Sequence, residues 1–205
     1  MKPNFSEEKK LWKQGYKLVA GLDEAGRGPL AGPVVAGAVL LLNQKLKIKD
    51  LGVDDSKKLS AEKREEIYNI ITKHKDIKWG AGIVSEKVID KINILQASKL
   101  AMQKAVESLG VEPDSLLIDG NFKIYCATNQ KSVVKGDAKV FSIAAASIIA
   151  KVTRDRLMQK YHKKYPQFGF DKHKGYPTAL HVSNLQKFGP CKIHRKTFYP
   201  VSNFV

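Results

Sequence analysis

The stretch Leu18-Val19-Ala20-Gly21-Leu22-Asp23-Glu24-Ala25-Gly26-Arg27-Gly28-Pro29 decides how this chain folds. Its first five residues are apolar or small, as in a buried strand, and the run stops at two adjacent carboxylates. A strand is expected from about Lys17 to Glu24. A second apolar run, Pro33 to Leu42, follows after a short link, which predicts an antiparallel pair. Like charges about 4 Å apart repel by roughly 4 kcal/mol at an effective dielectric near 20. Asp23 and Glu24 at the end of a buried strand are therefore costly unless a cation sits on them. Gly26-Arg27-Gly28 adds approachable backbone amides and one guanidinium fork, which suits a phosphate. Carboxylates for a metal beside a phosphate grip point to phosphoryl-transfer chemistry.

On either side of this stretch the pattern alternates helix and strand. A short helix is expected from Ser6 to Gln14, closed by Gly15, and another from Ser60 to about Lys75 with Ser60 as N-cap. Ile77 to Ser85 reads as a strand and Ile94 to Leu109 as a helix ended by Gly110. Leu116-Leu117-Ile118-Asp119-Gly120 is a short buried strand ending in an acid, and Ser132 to Lys135 a weak one. From Lys139 to Lys164 a long helix is expected. Its first half, Ile143 to Ala150, is apolar nearly all round and so must be buried. One further helix, Pro177 to Phe188, precedes a basic tail. With no repeat, linker or low-complexity segment, the expectation is one α/β domain over residues 1–205, helical from about 165 onward.

The 36 Lys and Arg against 20 Asp and Glu give a net charge of +16, which favours a polyanionic partner such as nucleic acid. A generically lysine-rich surface is the plainer explanation of the charge alone. No apolar run approaches the roughly 20 residues of a membrane span. The N-terminus has no secretory h-region, so a cytoplasmic location without membrane association is expected. Cys126 and Cys191 stand apart, with no zinc spacing, and read as reduced structural thiols.

Three acid positions share one grammar, an apolar strand followed by an acid and a glycine or turn: Asp23-Glu24, Asp119 before Gly120, and Asp137 after Gly136. Ends of neighbouring strands converge in α/β sheets, where sites form. Hard oxygen ligands suit Mg²⁺ or Mn²⁺, and two such ions can serve phosphoryl transfer. Read singly, Asp119 could open a turn and Asp137 could cap the following helix. Adjacent Asp23 and Glu24 cannot face the same way in regular strand, since side chains alternate.

These residues resemble the ribonuclease HII family. The resemblance rests on Asp23-Glu24-Ala25-Gly26-Arg27-Gly28-Pro29 with Gly32-Pro33-Val34-Val35, and on Asp54-Asp55-Ser56-Lys57-Lys58-Leu59. It continues through Ile118-Asp119-Gly120, Lys135-Gly136-Asp137, the run Ser142 to Asp155, His173-Lys174-Gly175-Tyr176-Pro177-Thr178 and Ile193-His194-Arg195, in one unbroken order. The resemblance implies a ribonuclease H-like fold, a mixed central sheet flanked by helices with a helical C-terminal region. It implies an endonuclease that acts on RNA–DNA hybrids and cuts 5′ to single ribonucleotides in duplex DNA, using two divalent cations, Mg²⁺ or Mn²⁺. It further implies that Asp23, Glu24, Asp119 and Asp137 bind the metals, and that Gly26, Arg27, Gly28, Lys57 and Tyr176 contact substrate. The related ribonuclease HIII carries an extra N-terminal domain and a different loop in place of Gly-Arg-Gly. A monomer is expected.

Without the resemblance, Tyr176 between Gly175 and Pro177 reads as a tyrosine closing a turn rather than as a substrate contact. Lys57, Lys58 and Lys151 are candidate phosphate contacts or simply a solvated face. His173, His181 and His194 carry no assigned role. Asp155 is expected to pair with a neighbouring cation. Two rivals remain: another ribonuclease H-like nuclease such as a junction resolvase, and a non-catalytic nucleic-acid-binding protein.

Overall fold

The computed structural model describes residues 2–46, 51–54, 56 and 59–205. Among them runs one mixed sheet in the order β3-β2-β1-β4-β5. Strand β1 (Val19–Ala25) pairs antiparallel with β2 (Val34–Leu41), which pairs antiparallel with β3 (Ile77–Val84). On its other side β1 runs parallel to β4 (Ser115–Asp119), and β4 parallel to the edge strand β5 (Asn129–Val133). The expected hairpin is present, and the weak strand lies a few residues earlier than its composition suggested.

Alternation along β1 and β2 divides the core. Ala20, Leu22, Ala36, Ala38 and Leu40 face helix α3 (Glu86–Glu107), while Val39 and Leu41 face helix α4 (Phe141–Lys164). Helix α4 lies so close to the sheet that no side chain would fit beneath it at Gly21 of β1 or Gly37 of β2. A Cβ on Gly21 would come 2.2 Å from the Ser142 carbonyl carbon, and one on Gly37 would come 2.2 Å from the Ala146 oxygen. These glycines, with Ala144, Ala145 and Ala146 facing them, let an all-apolar helix settle directly on the strand ends.

Helix α1 (Ser6–Lys13) steadies the start of α4. Buried Glu8 accepts the Ser142 N–H at 2.8 Å, which places a carboxylate at the helix's positive end. Helix α2 (Ala61–Lys73) begins as expected, with the Ser60 hydroxyl accepting the Lys63 N–H.

Helix α3 begins eight residues before the expected Ile94. The chain turns at Asn93 (φ 65°), whose side chain accepts the N–H groups of Leu95 and Gln96, so the expected start is the second of two fused segments. Helix α4 begins at Phe141 rather than Lys139 because residues Gly136–Ala138 form a 3₁₀ turn. That turn holds Asp137, and Val140 occupies the N-cap position; the capping role considered for Asp137 is ruled out.

Beyond α4, helix α5 (Phe170–His173) folds back onto it, and α6 (Ala179–Phe188) packs on the 3₁₀ turn Pro166–Phe168 between α4 and α5. The segment Gln167 to Asp171 builds a small core there, with Phe168 and Phe170 stacked at 5.4 Å beside Ala31, Met158 and Ile193. No helix among the described residues is long and apolar enough to cross a membrane.

Candidate active site

Parallel pairing aligns Leu22 with Ile118, so the next residues of β1 and β4, Asp23 and Asp119, end side by side. Their strand ends open into a cleft of about 320 Å³ lined by Asp23, Glu24, Gly26, Arg27, Gly28, Asp119 and Tyr176, with Ser56, Ser147 and Lys151. Seven residues chosen from the sequence thus meet in one place. Strand alternation does turn Asp23 and Glu24 to opposite sides, yet both reach the cleft because β1 ends there.

Each acid has a distinct setting. Asp23, toward α4, accepts the Glu24 N–H at 2.7 Å and is hydrogen-bonded to the Ser147 hydroxyl. Burial, then repulsion from Glu24 and Asp119, pushes its carboxyl well above the usual range. Burial also raises Glu24, against the opposing pull of Arg27, whose Nη1 lies 3.1 Å from Oε1. The other Glu24 oxygen, Oε2, is buried with no hydrogen-bond partner among the described residues. Asp119 accepts the Gly136 N–H at 2.6 Å, and this bond draws the turn carrying Asp137 up to the strand end. Asp137 is buried in that turn and is not among the residues that line the cleft. Lys57 lies outside the described residues.

These settings fit divalent cations. Carboxylates whose charges repel one another, with an unpartnered buried oxygen among them, are hard donors short of positive charge. Among the described residues no three acid, histidine or cysteine groups already form a closed cage.

The loop beside the acids is held by two arginines that the sequence did not single out as structural. Arg195 is fully buried and donates to the Gly26, Arg27, Gly32 and Pro33 carbonyls at 2.6, 2.9, 3.0 and 3.3 Å. Arg154, also buried, donates to the Ala31, Pro33 and Lys174 carbonyls at 3.0–3.1 Å. Burial, and the like charge of Arg154, bring the Arg195 guanidinium down to about 9, still cationic at neutral pH. A backbone whose carbonyls turn inward to these cations leaves its amides facing the cleft. Gly26 has φ +98°, and a Cβ there would lie 2.1 Å from Arg154 Nε, so only glycine fits.

Tyr176 stands over this loop, 40% exposed, its ring 3.8 Å from where a Gly28 Cβ would be and 5.8 Å from the Arg154 guanidinium carbon. On the opposite wall the Ser56 and Ser147 hydroxyls lie 2.9 Å apart and join the loop before α2 to Asp23. Arg64 Nη1 fixes that loop through the Ser56 and Leu59 carbonyls. Lys151 pairs with Asp155 at 2.7 Å, the partnership expected for Asp155. Cys126 and Cys191 are free thiols, Cys191 pushed up to about 11 by burial.

Comparison with known proteins agrees with this geometry. Residues 20–201 match the family model described as Ribonuclease HII. A ribonuclease HII of Chlamydia muridarum is 53% identical over 196 residues, 94% of this chain and 87% of the relative. The ribonuclease H2 of Pyrococcus horikoshii superposes with a TM-score of 0.75 at 31% identity, covering 91% of this chain and 96% of that one. The ribonuclease HII of Archaeoglobus fulgidus, solved as a complex with PCNA, gives 0.75 at 28% identity, over 88% and 95%. A match along nearly the whole sheet and the C-terminal helices, at more than half identity to one relative, leaves one assignment: the chain belongs to the ribonuclease HII family, endoribonucleases of the RNA strand in RNA–DNA hybrids.

Proposed function

We propose that the protein, as one catalytic domain, also cuts duplex DNA on the 5′ side of a single embedded ribonucleotide, leaving 3′-hydroxyl and 5′-phosphate ends. The observation that carries this reading is the meeting of buried, mutually repelling carboxylates with an amide-presenting Gly-Arg-Gly loop in one cleft. A 2′-hydroxyl is the only handle that separates ribose from deoxyribose, being both donor and acceptor. Gly26 and Gly28 can bring main-chain groups to it without side chains in the way. Arg27, 45% exposed, can swing from Glu24 to the adjacent phosphate. The Tyr176 ring can pack on the sugar at the junction.

Asp23, Glu24, Asp119 and Asp137 would hold two Mg²⁺ or Mn²⁺ ions, Asp137 by moving with the turn tied to Asp119. Held there, the ions would supply an activated water and charge stabilisation for the leaving 3′ oxygen. Ser147 fixes Asp23, and Lys151, held by Asp155, faces the same cleft with a positive charge for the backbone. Lys57, which follows Ser56 in sequence, would add a phosphate contact. The basic surface supplies sequence-independent attraction to the duplex. The protein acts as a cytoplasmic monomer in this reading.

The test is cleavage of a labelled duplex containing one ribonucleotide, with Mg²⁺, Mn²⁺ or EDTA, beside an all-DNA duplex. A single metal-dependent cut 5′ to the ribonucleotide is expected. Equal cutting of the all-DNA duplex would return the chain to a generic nuclease. Arg27→Ala should lower cleavage at the ribonucleotide more than it lowers duplex binding; equal losses would contradict its role.

A further inference from the structure

Three histidines outside the cleft, His181 and His194 buried and His173 half-buried, form one cluster that the proposed chemistry does not use. Their partners dictate where every proton sits. The Cys191 N–H points at His194 Nδ1 (2.9 Å), so that nitrogen is an acceptor and a neutral His194 carries its proton on Nε2. His194 Nε2 lies 3.1 Å from His181 Nε2, which must then accept. His181 therefore carries its proton on Nδ1, 2.9 Å from the Tyr176 carbonyl oxygen. The third ring, His173, stacks on His181 at 4.4 Å and 16°. Its Nδ1 accepts the Gly175 N–H and its Nε2 donates to the Phe168 carbonyl. Phe168 and Phe170 wall the cluster in.

The relay ends on the main chain of Tyr176, and its other end joins Arg195, the next residue after His194. Arg195 holds the Gly26 and Arg27 carbonyls. One dipeptide near the C-terminus therefore grips both walls of the substrate cleft. Arg195 sets the loop by charge, and His194, through His181, sets the aromatic ring by a directional hydrogen-bond chain. Elsewhere Tyr176 is held by neighbours of its own turn, its N–H by the His173 carbonyl and its carbonyl also by the Thr178 N–H. Distant segments also hold this turn at Gly175, whose carbonyl accepts the Leu30 N–H, and at Lys174, whose carbonyl accepts from Arg154; the histidine chain adds a tie at the Tyr176 carbonyl itself.

We propose that His181 and His194 are positioning residues for Tyr176, setting the spacing between its ring and the Gly26-Arg27-Gly28 loop that single-ribonucleotide recognition requires. This rests on the reading of Tyr176 as a substrate contact. A continuous hybrid offers many ribonucleotides and tolerates a loosely held ring; a lone ribonucleotide in DNA does not. A misplacement of about 1 Å can cost roughly a hundredfold in turnover.

The experiment compares His181→Leu, which removes the donor, with His181→Asn, whose amide can reach the Tyr176 carbonyl. Tyr176→Ala and the Tyr176→Ala/His181→Leu double variant complete the cycle. kcat and KM are measured on a duplex with one ribonucleotide and on a continuous RNA–DNA hybrid. His181→Leu should lose roughly ten- to a hundredfold in kcat on the single ribonucleotide, with KM and hybrid cleavage nearly unchanged. His181→Asn should recover most of the loss, and the double variant should be no worse than Tyr176→Ala. Losses that multiply in the double variant, or equal losses on both substrates, overturn the positioning role. A Tyr176→Ala variant with full activity on the single ribonucleotide instead overturns the reading of Tyr176 itself. Should His181→Leu fail to fold, imidazole ¹⁵N spectra of the unsubstituted protein decide the matter. A His181 ring protonated on Nε2 rather than Nδ1 refutes the relay.

Discussion

Asp23 is buried, is repelled by Glu24 and Asp119, and receives only a hydroxyl and one amide in return. Such a residue weakens the metal-free fold, a cost that a bound cation would offset. Asp23→Asn keeps the shape and removes one of the clashing charges. It should abolish cleavage while raising the stability of the metal-free protein by on the order of 1–3 kcal/mol. Divalent cation should raise the melting temperature of the unsubstituted protein, since it binds only the folded state, and should raise that of the variant far less. Thermal unfolding in EDTA and in Mg²⁺ checks both halves; a variant less stable in EDTA would mean that Asp23 is structural. Gly28 is the contrasting case. A Cβ there meets only the Tyr176 ring at 3.8 Å, so Gly28→Ala should leave stability within about 0.5 kcal/mol and register in cleavage alone.

Helix α4 reaches the acids because β1 and β2 offer it glycine where it crosses them. Gly37→Ala would put a methyl 2.2 Å from the Ala146 carbonyl oxygen, in a helix whose backbone cannot bend away locally. The helix must lift, taking Ser147 and Lys151 with it. The expected cost is about 3 kcal/mol, read by urea denaturation, with a fall in cleavage measured well below the unfolding transition. A variant of unchanged stability would show that the sheet yields instead. The packing of α4 was legible in the sequence because an all-apolar helix has nowhere else to go. The strand ends were legible too, as acids that halt apolar runs. The turn within α3 escaped notice because Asn93 caps a segment whose residues are helix formers on both sides. Arg154 and Arg195 escaped as well. In a chain with 36 basic residues nothing local marks the two that are buried, and the carbonyls they satisfy lie more than 100 residues away in sequence, Lys174 apart. The turn that carries Asp137 is joined to the end of β4 by a contact that strand grammar did not contain, the Gly136 N–H bonded to Asp119.

At the scale of the whole molecule, acid should act on the fold through two opposing sets of buried groups. Burial raises the carboxyls of Glu8, Asp23 and Glu24. Their folded forms hold protons more tightly than the unfolded chain does, so falling pH favours the fold through them. The histidines work the other way. Burial, aided by His173 beside His181 and by His181 beside His194, depresses both from 6.5 to about 4, and burial lowers His173 as well. Between pH 6.5 and 4 the unfolded chain takes up protons that the folded pair refuses, so stability present above 6.5 is lost as pH falls toward 4. A change from 6.5 to about 4 corresponds to about 3 kcal/mol for one histidine. Asp171 and Lys174 border His173 with opposite charges, and His162 in turn pairs with Asp171, so the surroundings add little net field. His181→Asn removes one of the two refusing groups and leaves the carboxyls untouched. Urea unfolding at pH 7, 5.5 and 4.5 should therefore show a shallower acid loss in the variant than in the unsubstituted protein, by up to about 3 kcal/mol over the interval. Equal slopes would mean that the pair accepts its proton without cost, and that the relay to Tyr176 is not held neutral by the fold.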